Sequence, residues 1–158
     1  MKKLLGVSSV LAIGVGIVLV AGGLWGIYFT YTSVAEENII TPQDAAIPGT
    51  PVRGPLTLKA QADAIRAHTL KTTEGKTFSE MPRTIPQVDE QGNPVLDKEE
   101  NPVMVANKTR DMWITATTLT TALHFAILTY VFSSLVVLLG LISIWTGMIL
   151  CVLSRKRI

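Results

Sequence analysis

Residues 4–31 read LLGVSSVLAIGVGIVLVAGGLWGIYFTY, twenty-eight positions without one charged side chain. A helix needs ~20 mainly apolar residues to cross a bilayer, so this run predicts a membrane span with some tilt. A second run, Met112 to Ser154, again carries no formal charge, and His124 is its one histidine. Every acidic residue lies between them, from Glu36 to Asp111. The two runs decide the fold class. We expect an all-α membrane protein, an antiparallel hairpin of two transmembrane helices. Between them lies a small, mostly irregular extracytoplasmic segment with one or two short helices and a β-hairpin.

The whole-chain figures agree with that division. The chain has 158 residues, 14 basic and 12 acidic, with 48% apolar and only 16% charged residues. Soluble domains are ~25% charged, which argues against a soluble enzyme. One cysteine excludes an internal disulfide framework, a Cys-rich zinc site and a redox CxxC pair. A net charge of +2 gives no electrostatic footprint for nucleic acid.

Lys2 and Lys3 precede the first run, and Arg155, Lys156 and Arg157 follow the second. The positive-inside rule places both termini in the cytoplasm of a cell-membrane protein. The expected division is then residues 1–3 cytoplasmic, 4–31 first span, 32–111 extracytoplasmic, 112–153 one long helix containing the second span, and 154–158 a cytoplasmic basic tail. Ser33-Val34-Ala35 resembles a cleavage site, but the apolar run far exceeds the 7–15 residues of a signal-peptide core. An uncleaved anchor is expected. The second run holds no proline and no polar break, so one helix is expected, its threonine-rich start, 112–121, standing outside the bilayer and 126–153 within it.

The outer segment holds all eight prolines. Pro48, Pro51 and Pro55 oppose helix, so Thr41 to Pro55 reads as extended. Leu58, Ala62, Ile65 and Thr69 share one face of a predicted helix from Thr57 to about Leu70. Thr77-Phe78-Ser79-Glu80 has capping-box spacing. Asp89 to Val105 reads as a hairpin or mobile loop, its turn at Gln91-Gly92-Asn93-Pro94 between Ile85–Val88 and Val95-Leu96. The chain reads as free of internal repeats.

Small residues recur every seven positions in both apolar runs. The first seam is Ser9, Gly16 and Gly23, with Ala12 and Gly26 beside it; the second is Ala126, Ser133, Gly140, Gly147 and Ser154. Small side chains let backbones approach closely in lipid, where hydrophobic drive is missing. A seven-residue repeat keeps such a seam on one face of a left-handed pair. Run antiparallel, the seams predict Ser9 against Ser154, Gly16 against Gly147 and Gly23 against Gly140.

Chemistry-bearing residues are few. His124 follows Thr117, Thr120 and Thr121 on one helical face. It reads either as a neutral histidine bonded to a threonine hydroxyl or as an axial ligand to a tetrapyrrole. His68, among charged neighbours, reads as a surface residue. Asp89, Gln91, Asn93, Asp97 and Glu100 have calcium-loop offsets, but Pro94 stands where that loop needs glycine. A solvated acidic hairpin is the better reading. No cofactor, metal site or catalytic residue is expected.

The motifs Pro48-Gly-Thr-Pro-Val-x-Gly-Pro55, Ala60-Gln-Ala-Asp-x-Ile65, His68-Thr-Leu70 and Gly75-Lys-Thr-Phe78 resemble those of a group of small uncharacterised bacterial membrane proteins, mostly actinobacterial. The resemblance covers most of the chain and is sharpest over 48–81. It implies the same layout of helix, outer module and C-terminal membrane helix. The sequence departs from that group at Asp89–Glu100, which reads as an insertion. Members often carry the label "aromatic ring-opening dioxygenase". Such an enzyme needs two histidines and a carboxylate around one iron, and His68 and His124 are separated here in chain and depth.

The expected function is therefore non-enzymatic: an accessory or structural subunit of a larger membrane complex, in contact with membrane lipid and other membrane subunits and not with nucleic acid. One alternative is a tetrapyrrole-binding subunit of an energy-converting complex, using His124. Another is a membrane protein that assembles with copies of itself through the seams.

Overall fold

The structure is a computed structural model and describes residues 2–155. Met1, Lys156, Arg157 and Ile158 lie outside the described residues, and with them part of the expected terminal segments. The chain forms α1 (Lys2–Glu36), α2 (Pro55–Thr72), a single 3-10 turn (Phe78–Glu80), β1 (Thr84–Pro86), β2 (Met104–Ala106) and α3 (Lys108–Arg155). It is mostly helical, and α1 and α3 are each long and apolar enough to cross a membrane. At 1.5 Å per residue they extend ~50 and ~70 Å.

Both long helices outrun their uncharged stretches, for local reasons. Asn38, at φ 51°, takes the left-handed conformation that closes a helix C-terminus, and its N–H reaches Ala35 O at 3.2 Å. α3 starts before Met112 because Asn107 caps it. Its Oδ1 accepts the Arg110 N–H at 3.2 Å while its Nδ2 donates to Pro82 O at 3.0 Å. One capping side chain thus starts the helix and ties the preceding loop to it.

α2 is set by Pro55 in its first turn and by Thr57, whose hydroxyl oxygen accepts from the Arg53 and Gly54 N–H groups at 3.1 and 3.2 Å. Leu58, Ala62 and Thr69 are buried along one face, with Ala60 and Ala64 beside them. Leu58 is wholly buried, worth about 1.5–3 kcal/mol for such a side chain. It joins Val52, Ala62, Leu123 and Tyr130 in the core, with Ile27, Val34, Ile39 and Ile65 packed against them. The core therefore sits where α2 packs along the N-terminal half of α3, beside the C-terminal end of α1. The stretch read as extended before α2 is a closed loop. Thr41 exchanges backbone bonds with Thr50 and Gly49 and accepts the Thr50 N–H on its hydroxyl at 2.9 Å.

The acidic stretch departs most from expectation. β1 pairs with β2, Thr84 opposite Ala106 and Pro86 opposite Met104, while of the expected arms Gln87 and Val88 meet Val95 and Pro94 across the expected turn. Between the two strands, Val88-Asp-Glu-Gln-Gly-Asn-Pro-Val95 is followed by Leu96-Asp-Lys-Glu-Glu-Asn-Pro-Val103. This is an internal repeat of eight residues, which the sequence reading missed. Each unit forms one leaf on the β1–β2 stem. Bridges Val88–Pro94 and Leu96–Pro102 close the leaves. In each, the aspartate Oδ1 accepts two backbone N–H groups: Gln91 and Asn93 at 3.0 and 2.8 Å on Asp89, Glu99 and Asn101 at 2.8 and 3.0 Å on Asp97. At the junction Val95 N–H bonds Gln87 O, Val103 N–H bonds Val95 O, and Gln87 N–H bonds Val103 O, at 2.8, 2.8 and 2.7 Å. The stem and both leaves close on one another in a ring. The residues with calcium-loop offsets are thereby divided between two leaves.

Candidate functional site: the helix seam and the cleft above it

Every seventh residue of α1, Ser9, Gly16, Gly23 and Thr30, is buried. On the C-terminal half of α3 the buried small residues are Ser133, Gly140 and Gly147. The two rows face each other antiparallel. A Cβ on Gly16 would stand 2.6 Å from Gly140 O, and one on Gly140 would stand 2.8 Å from Gly16 O. A Cβ on Gly23 would meet Ser133 O at 2.8 Å, one on Gly147 would meet Ser9 O at 3.0 Å, and one on Gly26 would meet Ser133 Oγ at 2.5 Å. Backbone thus lies on backbone at each step, with no room for a side chain. Gly6, Gly14 and Gly22 have nothing within 4 Å and lie off the seam.

Two hydrogen bonds cross between the stems. Ser9 Oγ donates to Gly147 O at 2.7 Å, and Ser143 Oγ donates to Ala12 O at 2.8 Å. Ser154 bonds its own helix at Cys151 O, 2.8 Å away. The observed pairs are therefore Ser9–Gly147, Gly16–Gly140 and Gly23–Ser133, one heptad from the expected register. Two seams that both repeat at seven fit equally in registers seven residues apart, so contacts outside the seam decide. Thr30 continues the α1 heptad and its position was legible; Ser143 lies off the α3 repeat and was not.

The deciding contacts lie just above the apolar stems. Tyr130 OH donates to Arg53 O at 2.6 Å, and the Arg53 guanidinium donates to Tyr31 OH at 3.1 Å. Higher up, Trp113 Nε1–H reaches Lys76 O at 3.0 Å, and the Arg66 guanidinium stands 5.7 Å from the Trp113 ring centre. Arg110 stacks on Phe78 at 3.6 Å, a cation–π contact. These pairs run α2 antiparallel along α3, from Arg53 at Tyr130 to Lys76 at Trp113, and fix the height of α3 against the outer segment.

Each histidine lies apart from the seam. His68 Nε2 is 2.7 Å from Asp44 Oδ2, half-exposed, and the contact holds the Asp44 carboxyl below its usual value. His124 is exposed and borders a recess of about 140 Å³ with Asp63, Arg66, Thr117 and Thr120. Thr120 donates its hydroxyl to Ala116 O at 2.9 Å, within its own helix and not to His124. Among the described residues no three His, Cys, Asp or Glu side chains converge.

A larger cleft, about 570 Å³, opens between the outer end of α1, the side of α2 and α3. Val34, Ile39, Leu58, Ile65, Leu119 and Leu123 supply its apolar walls, and Glu37 and Gln61 also line it. Gln61 Oε1 is shut off from solvent with no hydrogen-bond partner among the described residues. Nothing in the sequence reading pointed to this cleft, because its walls come from α2, α3 and the C-terminal end of α1, segments distant in the chain. Comparison with protein-family models, with curated proteins and with solved structures finds no match to the chain.

Proposed function

We propose that this chain is a non-enzymatic, two-span protein of the cell membrane that serves as an accessory or structural subunit of a larger membrane complex. Residues 2–3 and the basic C-terminal end lie on the cytoplasmic side in this reading, and residues 32–111 form an extracytoplasmic headpiece. The likeness to small actinobacterial-type membrane proteins fits the same layout.

The observation that carries the reading is the contrast between the two sides of each stem. One row per helix is packed backbone to backbone, while the remaining circumference exposes large apolar groups. Trp25 is 66% exposed and Trp145 65%. Side chains of that kind need lipid or protein around them. The headpiece is fastened to the stems by Tyr130–Arg53 and Trp113–Lys76, which supports a rigid module presented at the membrane surface rather than a tethered domain.

Use of His124 as a tetrapyrrole ligand gains little support, since its recess is well below the ~300–1,000 Å³ of small-ligand sites. Assembly with copies of itself is the outcome that would replace the accessory reading. Native mass spectrometry of the tagged chain, extracted in mild detergent, separates them. Reproducible stoichiometric partners are expected; a particle made of this chain alone would move the reading to self-assembly.

A further inference from the structure

The cleft above the seam combines three properties. It is walled by hydrocarbon, it is open beside the stems, and the one charged group on its lining is the Glu37 carboxylate. Continuing the seam register outward sets Thr30 level with Ala126 and Glu37 level with Leu119. Ala126 is thus the end of the cleft nearest the stems, and Glu37 and Leu119 mark its outer mouth. α2 runs antiparallel to α3 between Arg53 at Tyr130 and Arg66 at Trp113, which brings Gln61 to the outer half as well. The Glu37 carboxylate is exposed at that mouth, and Gln61 Oε1 is buried without a donor. No Lys, Arg or His lines the cleft.

We propose that this cleft binds a membrane amphiphile whose head carries a primary ammonium, an aminophospholipid, with its apolar part along Val34, Leu119 and Leu123 and its ammonium directed to the exposed Glu37 carboxylate at the mouth. Hydrogen bonds between oppositely charged groups are the stronger ones. A cationic head meets the carboxylate; an anionic head meets repulsion from it. The volume suits part of one lipid molecule. A lipid is the fitting source of that chemistry because the cleft lies beside the uncharged stems, with Ala126 at its inner end. A water-soluble amine would leave the hydrocarbon walls wet.

The site rests on the proposed membrane residence, and the test separates the two. The full chain is reconstituted in phosphatidylcholine vesicles doped with phosphatidylethanolamine or with phosphatidylglycerol. Flotation is recorded first, then lipid retained per chain by native mass spectrometry. The chain is expected to float and to retain one phosphatidylethanolamine in preference to phosphatidylglycerol. Glu37→Gln, which removes the charge and keeps the shape, is expected to lower that preference about threefold, and Leu119→Trp to abolish retention of both by filling the cleft. A chain that fails to float overturns the membrane reading and the site together. A chain that floats and retains both lipids equally, or whose preference survives Glu37→Gln, overturns the site alone.

Discussion

Ser9 Oγ donates to the carbonyl oxygen of Gly147 at 2.7 Å, joining residues 138 positions apart. The bond requires Gly147 to present bare backbone, and a Cβ there would stand 3.0 Å from Ser9 O. Hydroxyl and glycine are therefore one device: the glycine allows the approach and the serine uses it. Removing the hydroxyl in Ser9→Ala is expected to cost about 0.6 kcal/mol, as for interhelical bonds in lipid. Overpacking in Gly16→Leu is expected to cost about 1–3 kcal/mol or more. Gly14→Leu, off the seam, should leave stability unchanged. Unfolding midpoints in one detergent compare the three, and an equal loss for Gly14 and Gly16 would contradict the seam.

The register has its own test. With Cys151→Ser as background, Ala12→Cys combined with Ser143→Cys, positions that meet beside the glycines, is expected to form a disulfide on mild oxidation. Ala12→Cys combined with Leu150→Cys is not, because seven residues shift the partner ~10 Å along the axis. Crosslinking only in the second pair would restore the register expected from sequence.

Tyr130→Phe deletes the donor to Arg53 O and leaves that carbonyl without its side-chain partner. A loss of about 1 kcal/mol is expected. The local consequence is easier to read. Trypsin should cut after Arg53 faster in the variant than in the wild type, while cutting after Lys98, on the distant second leaf, keeps its rate.

Asp89 supplies a pH prediction. The Asn93 N–H holds its carboxyl below the ordinary 3.8, aided by the Gln91 N–H. A carboxyl whose value is depressed by folding stabilises above its unfolded value, and that stability is lost as pH falls through the folded one. The first leaf should therefore keep the Gln91 and Asn93 amide shifts constant down to about pH 4 and lose them below the ordinary aspartate range. A transition centred above pH 4 would contradict the assignment.

The second leaf tests the repeat. Gly92 has φ 86° and its counterpart Glu100 has φ 62°. A side chain costs about 1–2 kcal/mol in that conformation and glycine does not. Glu100→Gly is expected to increase protection of the Asn101 amide from hydrogen exchange. Glu100→Val, β-branched, should open the leaf.

Much of the architecture was legible because long uncharged runs and heptad spacing are one-dimensional signals. Ser9, Gly16 and Gly23 could be read as one helical face directly. Their partners could not, because a periodic seam is blind to a slip by its own period. The slip is resolved by Tyr130 and Trp113 reaching carbonyls at Arg53 and Lys76, pairs that carry no sequence pattern. The cleft was hidden for the same reason, since Glu37, Gln61 and Leu119 meet only through tertiary packing. The two leaves were hidden differently. The repeat of Asp, Asn, Pro and Val at eight-residue spacing was plain in the chain, but a turn at Gly92-Asn93 suggested an ordinary hairpin first.

The leaves leave the length of the outer tip free in whole steps. Each unit departs from the junction and returns to it, and Gln87 and Val103 meet at the head of the stem across both units. Removing or duplicating one eight-residue unit would change the reach of the tip without disturbing the pairing of Thr84 with Ala106. A change of four would leave half a loop with nowhere to close. Growth there is modular, which is how a chain can acquire an insertion at this point while the helices below remain as they were.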